Sequence, residues 1–139
     1  MDIKKISLWA GTLIILLILA SRLGGARVDH TRLEPEVAQQ MMATQDVIIL
    51  DVRTDVEFAT GNIPGAIHLP LDILPYQIQA IAPDTAQTIL VYCLAGQRSD
   101  TAARRLTELG YTNVYDFGGI VHWPGEIVRY TADYIGRYE

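Results

Sequence analysis

The chain has 139 residues, of which half are hydrophobic and 19% are charged, and its formal net charge is −5. This composition is typical of one globular domain and excludes a disordered or low-complexity chain. The negative charge argues against nucleic acid as a partner, because phosphate binding requires a basic face. A single cysteine, Cys93, excludes an intrachain disulfide. The histidines, His30, His68 and His122, are too far apart in sequence to indicate a metal site.

Residues 1–26 have the pattern of a targeting segment. Two lysines precede an uncharged, mostly apolar run over residues 6–20, and small residues follow at 24–26. This order is typical of a secretory signal peptide, with cleavage after Ala26. An uncleaved membrane anchor is the alternative, although a helix over the run spans only about 22 Å of a ~30 Å hydrocarbon core. Either interpretation predicts export from the cytoplasm, with the orientation of an anchor left open.

After this segment, predicted helices and strands alternate along the chain. Short apolar runs between turn residues predict strands, and apolar residues one helical turn apart predict helices. The first half of the remaining chain predicts a helix within 32–44 with Pro35 as its first residue, a strand over 46–52, a helical turn over 57–60 and a strand over 66–71. The second half predicts a helix over 73–83, a strand over 87–93, a helix over 99–111 and a strand over 113–117. Ser99 or Asp100 is the expected N-cap of the helix after Cys93.

This alternation predicts an α/β fold with an open, mostly parallel sheet flanked by helices. Ligands of such sheets bind beyond the carboxyl ends of the strands. Two polar sequences follow predicted strand ends, DVR at residues 51–53 and CLAGQR at residues 93–98. We therefore expect the functional site at this edge of the sheet.

The turn after Cys93 combines the features of an anion-binding loop. A turn between a parallel strand and a helix directs backbone N–H groups toward a common centre. In such settings the pKa of a cysteine falls from about 8.5 to roughly 3.5–7.5. Gly96 permits backbone conformations closed to other residues, and Arg98 carries a permanent charge that binds oxyanions. A buried core cysteine is the alternative interpretation, but the glycine, the arginine and the following helix favour a reactive thiol.

Two stretches of the chain resemble the signatures of rhodanese domains. Residues 51–71, DVRTDVEFATGNIPGAIHLPL, resemble the first signature. Residues 91–119, VYCLAGQRSDTAARRLTELGYTNVYDFGG, resemble the active-site loop, its helix and the closing Gly-Gly. With the targeting segment, the chain is similar to small exported single-domain thiosulfate sulfurtransferases of bacteria, which implies a periplasmic or inner-membrane location. The implied organisation is a signal peptide or anchor over 1–26, a rhodanese-like domain over 32–130 and a helical tail over 126–139.

The resemblance implies a sulfurtransferase that works through a persulfide on Cys93, without a cofactor or metal. The thiolate takes a sulfane sulfur from thiosulfate or another donor, such as a persulfide, and passes it to cyanide, a thiol or a protein acceptor. Asp51 and Ser99 are the implied supporting residues, and Arg53 and Glu57 the implied structural ion pair. The implied substrate-binding residues, whose amides would hold the negative sulfur, are Leu94, Ala95, Gly96, Gln97 and Arg98.

The loop after Cys93 carries less positive charge than a strongly cationic site. Leu94, Ala95 and Gln97 are neutral, and residues 1–26 hold three of the 11 basic and one of the 16 acidic residues, so the rest of the chain has a net charge of −7. Such a domain repels a dianion such as thiosulfate, which favours a persulfide carrier as the donor. Leu94 and Ala95 then form an apolar rim that docks the carrier or, as the alternative, only cover the loop.

The C-terminal tail also departs from the pattern of the rhodanese domains, because Pro124 and Gly125 follow Trp123 directly. Further on, apolar and aromatic residues recur at helical spacing: Ile127, Tyr130, Tyr134 and Tyr138. This spacing predicts a closing helix packed on the domain, with a partner-binding surface as the alternative.

Three other functions compete with sulfur transfer. A non-catalytic rhodanese-type module would carry sulfur or bind a partner without turnover. A redox or arsenate-handling thiol protein is disfavoured, because Cys93 has no second cysteine to resolve a disulfide. Phosphatases that share the fold have five residues between the cysteine and the arginine. The four residues between Cys93 and Arg98 form a narrower ring, which favours sulfur over phosphate.

Overall fold

The structure, a computed structural model, describes residues 30–129. The proposed targeting segment and the tail from residue 130 onward lie outside the described residues. The elements in chain order are β1 (Thr31–Arg32), α1 (Pro35–Thr44), β2 (Ile48–Asp51), α2 (Asp55–Ala59), β3 (Ile67–His68), α3 (Leu74–Ile81), β4 (Ile89–Cys93), α4 (Gln97–Glu108), β5 (Val114–Gly119) and a 3₁₀ turn (Ile120–His122). Across residues 30–129, no helix is both long and apolar enough to cross a membrane.

The strands of the described region form one five-stranded sheet in the order β1-β5-β4-β2-β3. Every neighbouring pair is parallel, so the predicted α/β fold with a parallel sheet is confirmed. β2 and β4 are direct neighbours, with Asp51 opposite Tyr92. The two polar sequences that follow these strands therefore lie side by side at one edge of the sheet.

Hydrophobic side chains cover both faces of the sheet, and β4 shows why. Ile89, Val91 and Cys93 belong to a core formed with α3 and α4, whereas Leu90 and Tyr92 belong to a second core beneath α1. Successive side chains of a strand point to opposite faces, so an entirely apolar strand is stable only when both faces are covered. All five residues of β4 are buried, and the strand is the rigid support of the turn that follows it.

Two local predictions differ from the structure. The strand β1 was not predicted, because its two residues are exposed and carry no apolar pattern; its pairing with Tyr115 and Asp116 of β5 is what makes it a strand. The prediction of an N-cap at Ser99 or Asp100 is wrong, because α4 begins at Gln97 and Gly96 is its N-cap, with φ of +110°. A glycine reaches this conformation without steric cost, and the helix therefore starts earlier than the capping residues indicate.

The predicted C-terminal helix does not include its first four residues. Residues 126–129 are not helical, and Val128 forms an antiparallel bridge with Asn62. The two residues exchange backbone hydrogen bonds of 2.8 and 2.9 Å. The bridge satisfies the backbone N–H and C=O of Val128, which therefore need no helical partners.

Candidate active site

Cys93 is the last residue of β4, and its thiol is enclosed by the turn that leads into α4. The side chain is buried, with 1% of the residue exposed. The Gly96 N–H donates to Cys93 Sγ over 3.0 Å, and the thiol donates to Ser99 Oγ over 3.6 Å. The left-handed backbone of Gly96 is what turns this N–H back toward the sulfur.

Burial and hydrogen bonding act in opposite directions on the pKa of Cys93. Burial raises the pKa of the thiol, but the backbone N–H and the hydroxyl of Ser99, with the N–H groups of Gly96 and Ala95, lower it by more. The net result is a pKa below the ordinary value of a cysteine. Because the thiolate is the nucleophilic form of cysteine, the turn increases the reactive fraction at neutral pH.

Ser99 connects this turn to β5. Its hydroxyl lies 3.0 Å from the carbonyl oxygen of Gly96 and 3.2 Å from that of Gly118, to either of which it can donate. Gly118 is held in turn by its N–H, which donates to Asp116 Oδ1 over 2.8 Å. Sequence reasoning missed Asp116, although an aspartate two residues before a glycine is a signal for such a turn.

The Arg98 guanidinium is held in place by an ion pair with Glu57. Its NH1 and NH2 groups donate to Oε2 and Oε1 of Glu57, each over 2.7 Å. Glu57 also accepts hydrogen bonds from the backbone and hydroxyl of Thr54 at the start of α2. The Arg98 guanidinium, followed by these contacts with Thr54, lowers the pKa of Glu57 to about 2 against the opposing effect of burial. Glu57 therefore neutralises the positive charge of Arg98 next to the cysteine loop.

Arg53 pairs with Asp51, and the expected Arg53–Glu57 ion pair is wrong. Nε and NH2 of Arg53 donate to the Asp51 carboxylate over 2.6–3.0 Å, and NH2 also donates to the carbonyl oxygen of Gly61. Both side chains are almost completely buried, so each requires the other. The predicted supporting role of Asp51 is directed at Arg53 and, through the Tyr92 hydroxyl, at β4. In the described region no hydrogen bond joins Asp51 to residues 94–98.

The rim of the loop is formed by the remaining predicted substrate-binding residues. Leu94, Ala95 and Gln97 are exposed, and Val121 donates its N–H to the carbonyl oxygen of Leu94 over 3.3 Å. The loop packs directly against Gly119, where a Cβ atom would collide with Leu94 O and the backbone of Ala95. The absence of a side chain at Gly119 therefore sets how closely the loop approaches β5.

One group of side chains near the loop offers metal-ligand atoms. His30, Asp100 and Asp116 each place one such atom within 4.8 Å of the others. The two carboxylates already face guanidinium groups, because Asp100 lies 2.8 Å from Arg104 and Asp116 lies 3.7 Å from Arg32. These positive charges oppose the approach of a metal ion. The group is therefore best described as an ion-pair network.

The fold and the loop together define a class, an α/β domain with an ionisable cysteine in an anion-binding turn at the carboxyl end of a central strand. The family model named Rhodanese-like domain matches residues 34–126. The chain belongs to this family.

Relatives with known names agree with that assignment. A sulfurtransferase of Allochromatium vinosum is 36% identical over 88 residues, which is 63% of this chain and 80% of the relative. Thiosulfate sulfurtransferase GlpE of Tolumonas auensis is 34% identical over 105 residues, which is 75% of this chain and 96% of the relative. A solved structure described as rhodanese with anions from E. coli is 33% identical, with a TM-score of 0.59 over 61% of this chain and all of that chain.

Proposed function

We propose that this rhodanese-type sulfurtransferase moves a sulfane sulfur through a persulfide on Cys93. The observation that carries the proposal is the contact of the sulfur with the loop, in which the Gly96 N–H donates to Cys93 Sγ over 3.0 Å. A loop that stabilises a negative sulfur before the reaction also stabilises the negative persulfide after it. The relatives named sulfurtransferase and thiosulfate sulfurtransferase support the same chemistry.

The first half-reaction forms the persulfide. The Cys93 thiolate attacks the outer sulfur of thiosulfate, a new S–S bond forms, and the original S–S bond breaks as sulfite leaves with its electron pair. The charge moves to the outer sulfur of the persulfide and is conserved overall. The lowered pKa of Cys93 assists this step, because it increases the fraction of the thiol that is ionised at neutral pH.

The second half-reaction returns the enzyme to its starting state. A thiolate, cyanide or a protein cysteine attacks the outer sulfur, and the electron pair of the broken bond returns to Cys93 Sγ. The Gly96 N–H stabilises the leaving thiolate as it does before the first step, and the Ser99 hydroxyl, which accepts from the thiol, donates to the sulfur once it is ionised. The two steps together are covalent catalysis without a cofactor.

The intact mass of the purified full-length protein after incubation with thiosulfate tests this proposal. We expect a gain of one sulfur atom that is lost on addition of cyanide and is absent in Cys93→Ser. Thr107→Ala is the control, because the Thr107 hydroxyl lies on α4 and donates to the carbonyl oxygen of Arg104 within the same helix. Failure of Cys93 to gain sulfur from thiosulfate or from an organic persulfide would overturn the proposal in favour of a non-catalytic rhodanese-type module.

We also propose that the protein acts in the cell envelope. The proposal rests on the order of basic, apolar and small residues in the first 26 positions. Fractionation of a bacterial host, with the mass of the recovered protein, provides the test. A periplasmic protein lacking residues 1–26 supports a cleaved signal peptide, and a full-length membrane-bound protein supports an anchor. Full-length protein in the cytoplasmic fraction would contradict both.

A further inference from the structure

The loop around Cys93 has a cleft on each side, and the two clefts differ in how their arginines are used. The first, of about 310 Å³, is lined by Arg53, Arg98 and Arg105 among others. The charges of Arg53 and Arg98 are balanced by Asp51 and Glu57. Arg105 donates one N–H to the neutral carbonyl oxygen of Leu71. Asp72 also lines this cleft. An anionic ligand therefore gains little on this side.

The second cleft, of about 490 Å³, lies between the loop and β1. Its lining consists of Ala95, Gly96 and Gln97 of the loop, Arg32 of β1, and Asp100, Thr101 and Arg104 of α4. Two of the loop residues that border it, Ala95 and Gly96, have N–H groups that lower the pKa of Cys93. A small molecule bound in this cleft therefore lies against the turn that surrounds Cys93.

Arg32 is the basic residue of this cleft with the least committed charge. Its side chain is 66% exposed, and its ion pair with Asp116 spans 3.7 Å, beyond hydrogen-bonding distance. Arg104, by comparison, is bound to Asp100 over 2.8 Å, and Asp100 also faces His30. Arg104 balances the negative charge of Asp100, so Asp100 does not cancel the attraction of Arg32 for an anion.

The position of Arg32 depends on two glycines. Its NH2 group lies 3.3 Å from where a Cβ of Gly96 would be, and 3.6 Å from that of Gly118. The guanidinium therefore rests directly on the turn that surrounds the cysteine. Both glycines have a positive φ, which the backbone of the turn requires. Because neither has a side chain, they leave open space above the turn, and the Arg32 guanidinium fills that space.

We propose that Arg32 binds the oxyanion group, carboxylate or sulfonate, of the small sulfur donor or acceptor that reacts at Cys93. The proposal rests on the sulfurtransferase function proposed above and specifies its substrate class. Arg32 acts as a specificity residue, because it contacts the part of the molecule that does not react. A guanidinium binds a planar or trigonal oxyanion with two parallel hydrogen bonds, which orients the sulfur end toward the loop.

The test compares two acceptors that differ only in charge. Cys93 is loaded with sulfur to completion, excess donor is removed, and loss of the sulfur atom is followed by mass. N-acetylcysteine and its amide serve as acceptors, with each rate constant corrected for the thiolate fraction. We expect the protein to favour the carboxylate by about threefold to fivefold, the range of an exposed ion pair, and the preference to shrink at high salt.

Variants of two arginines test whether Arg32 causes the preference for the carboxylate. Arg32→Ala is expected to lose the preference, so that the carboxylate and the amide react at equal rates within that variant. Arg32→Lys is expected to retain part of the preference. Arg129→Ala removes the same charge from an exposed residue beside Gly61 and should behave as the unmodified protein. Equal rates for both acceptors in the unmodified protein, or a preference that survives in Arg32→Ala, would overturn the proposal. A protein that never accepts sulfur on Cys93 would instead refute the function on which it rests.

Discussion

The ends of β2 and β4 lie side by side on the sheet, yet their chemistry is opposite. At the end of β2, the Asp51 carboxylate is saturated by Arg53, which lies two residues further along the chain. At the end of β4, Cys93 Sγ is surrounded by N–H groups and a hydroxyl that stabilise a negative charge. In the first arrangement, Arg53 neutralises the buried negative charge of Asp51. In the second arrangement, the N–H groups and the hydroxyl remain able to stabilise the negative charge of a reacting sulfur.

The difference teaches where reactivity comes from in this domain. The Asp51–Arg53 pair is local in sequence, and the fold adds burial and the carbonyl oxygen of Gly61. The state of Cys93 depends on the loop, on Ser99 and, through Ser99, on the carbonyl oxygen of Gly118 in β5. Disturbing the end of β2 should therefore change stability, and disturbing the surroundings of Cys93 should change reactivity.

The largest effect on stability is expected from Asp51→Ala. The substitution leaves the buried Arg53 guanidinium without its counter-ion, which costs about 3–5 kcal/mol of unfolding free energy. Urea unfolding followed by circular dichroism measures the loss. Asp51→Asn, which retains hydrogen-bond acceptors, should lose less. A loss below 1 kcal/mol for Asp51→Ala would mean that the pair does not hold the end of β2.

Gly119→Ala tests the packing of the loop on β5. The added Cβ meets the backbone of Leu94 and Ala95, so the loop must move, at a cost of about 1–3 kcal/mol. Persulfide formation on Cys93 should slow as well. Gly65→Ala is the control, because its Cβ has open space and the cost comes only from its φ of +78°. Equal sulfur-transfer rates in the two variants would contradict the proposed packing role.

Glu57→Gln removes the charge that holds Arg98 and should cost about 1–2 kcal/mol at pH 7. The pKa of Glu57 is lowered to about 2 in the folded protein, so its stabilising effect is present above pH 4.5 and is lost as the pH falls toward 2. The difference in stability between the unmodified protein and Glu57→Gln should therefore shrink over that interval. Unfolding curves at a series of pH values measure it, and a difference independent of pH would contradict the ion pair.

The smallest effect is expected from Ser99→Ala, and it should appear in reactivity. Loss of the hydroxyl raises the pKa of Cys93, although the backbone N–H groups remain. Alkylation by iodoacetamide should slow about threefold near neutral pH, the equivalent of one modest hydrogen bond. The pH profile of the alkylation should move to higher pH than in the unmodified protein. Thr107→Ala, which removes a hydroxyl elsewhere on α4, is the matched control. An unchanged profile in Ser99→Ala would exclude the hydroxyl from the stabilisation of the thiolate.

Much of the architecture was predictable from local patterns. The apolar runs before Asp51 and Cys93 predicted buried parallel strands, and both are central in the sheet. Strand periodicity and turn residues act between near neighbours in sequence, so they are visible without the fold. The position of Cys93 at the carboxyl end of β4 follows from that pattern alone.

The pairing of charged side chains was not predictable in the same way. Glu57 binds Arg98, 41 residues away, instead of the nearer Arg53. Arg32 reaches the loop only because β1, a strand without an apolar pattern, pairs with β5. The sequence by itself determined the fold class and the placement of the cysteine, because both are encoded by short-range hydrophobic order. Only the tertiary structure decided which charges meet, because a salt bridge depends on where separate elements come together in space.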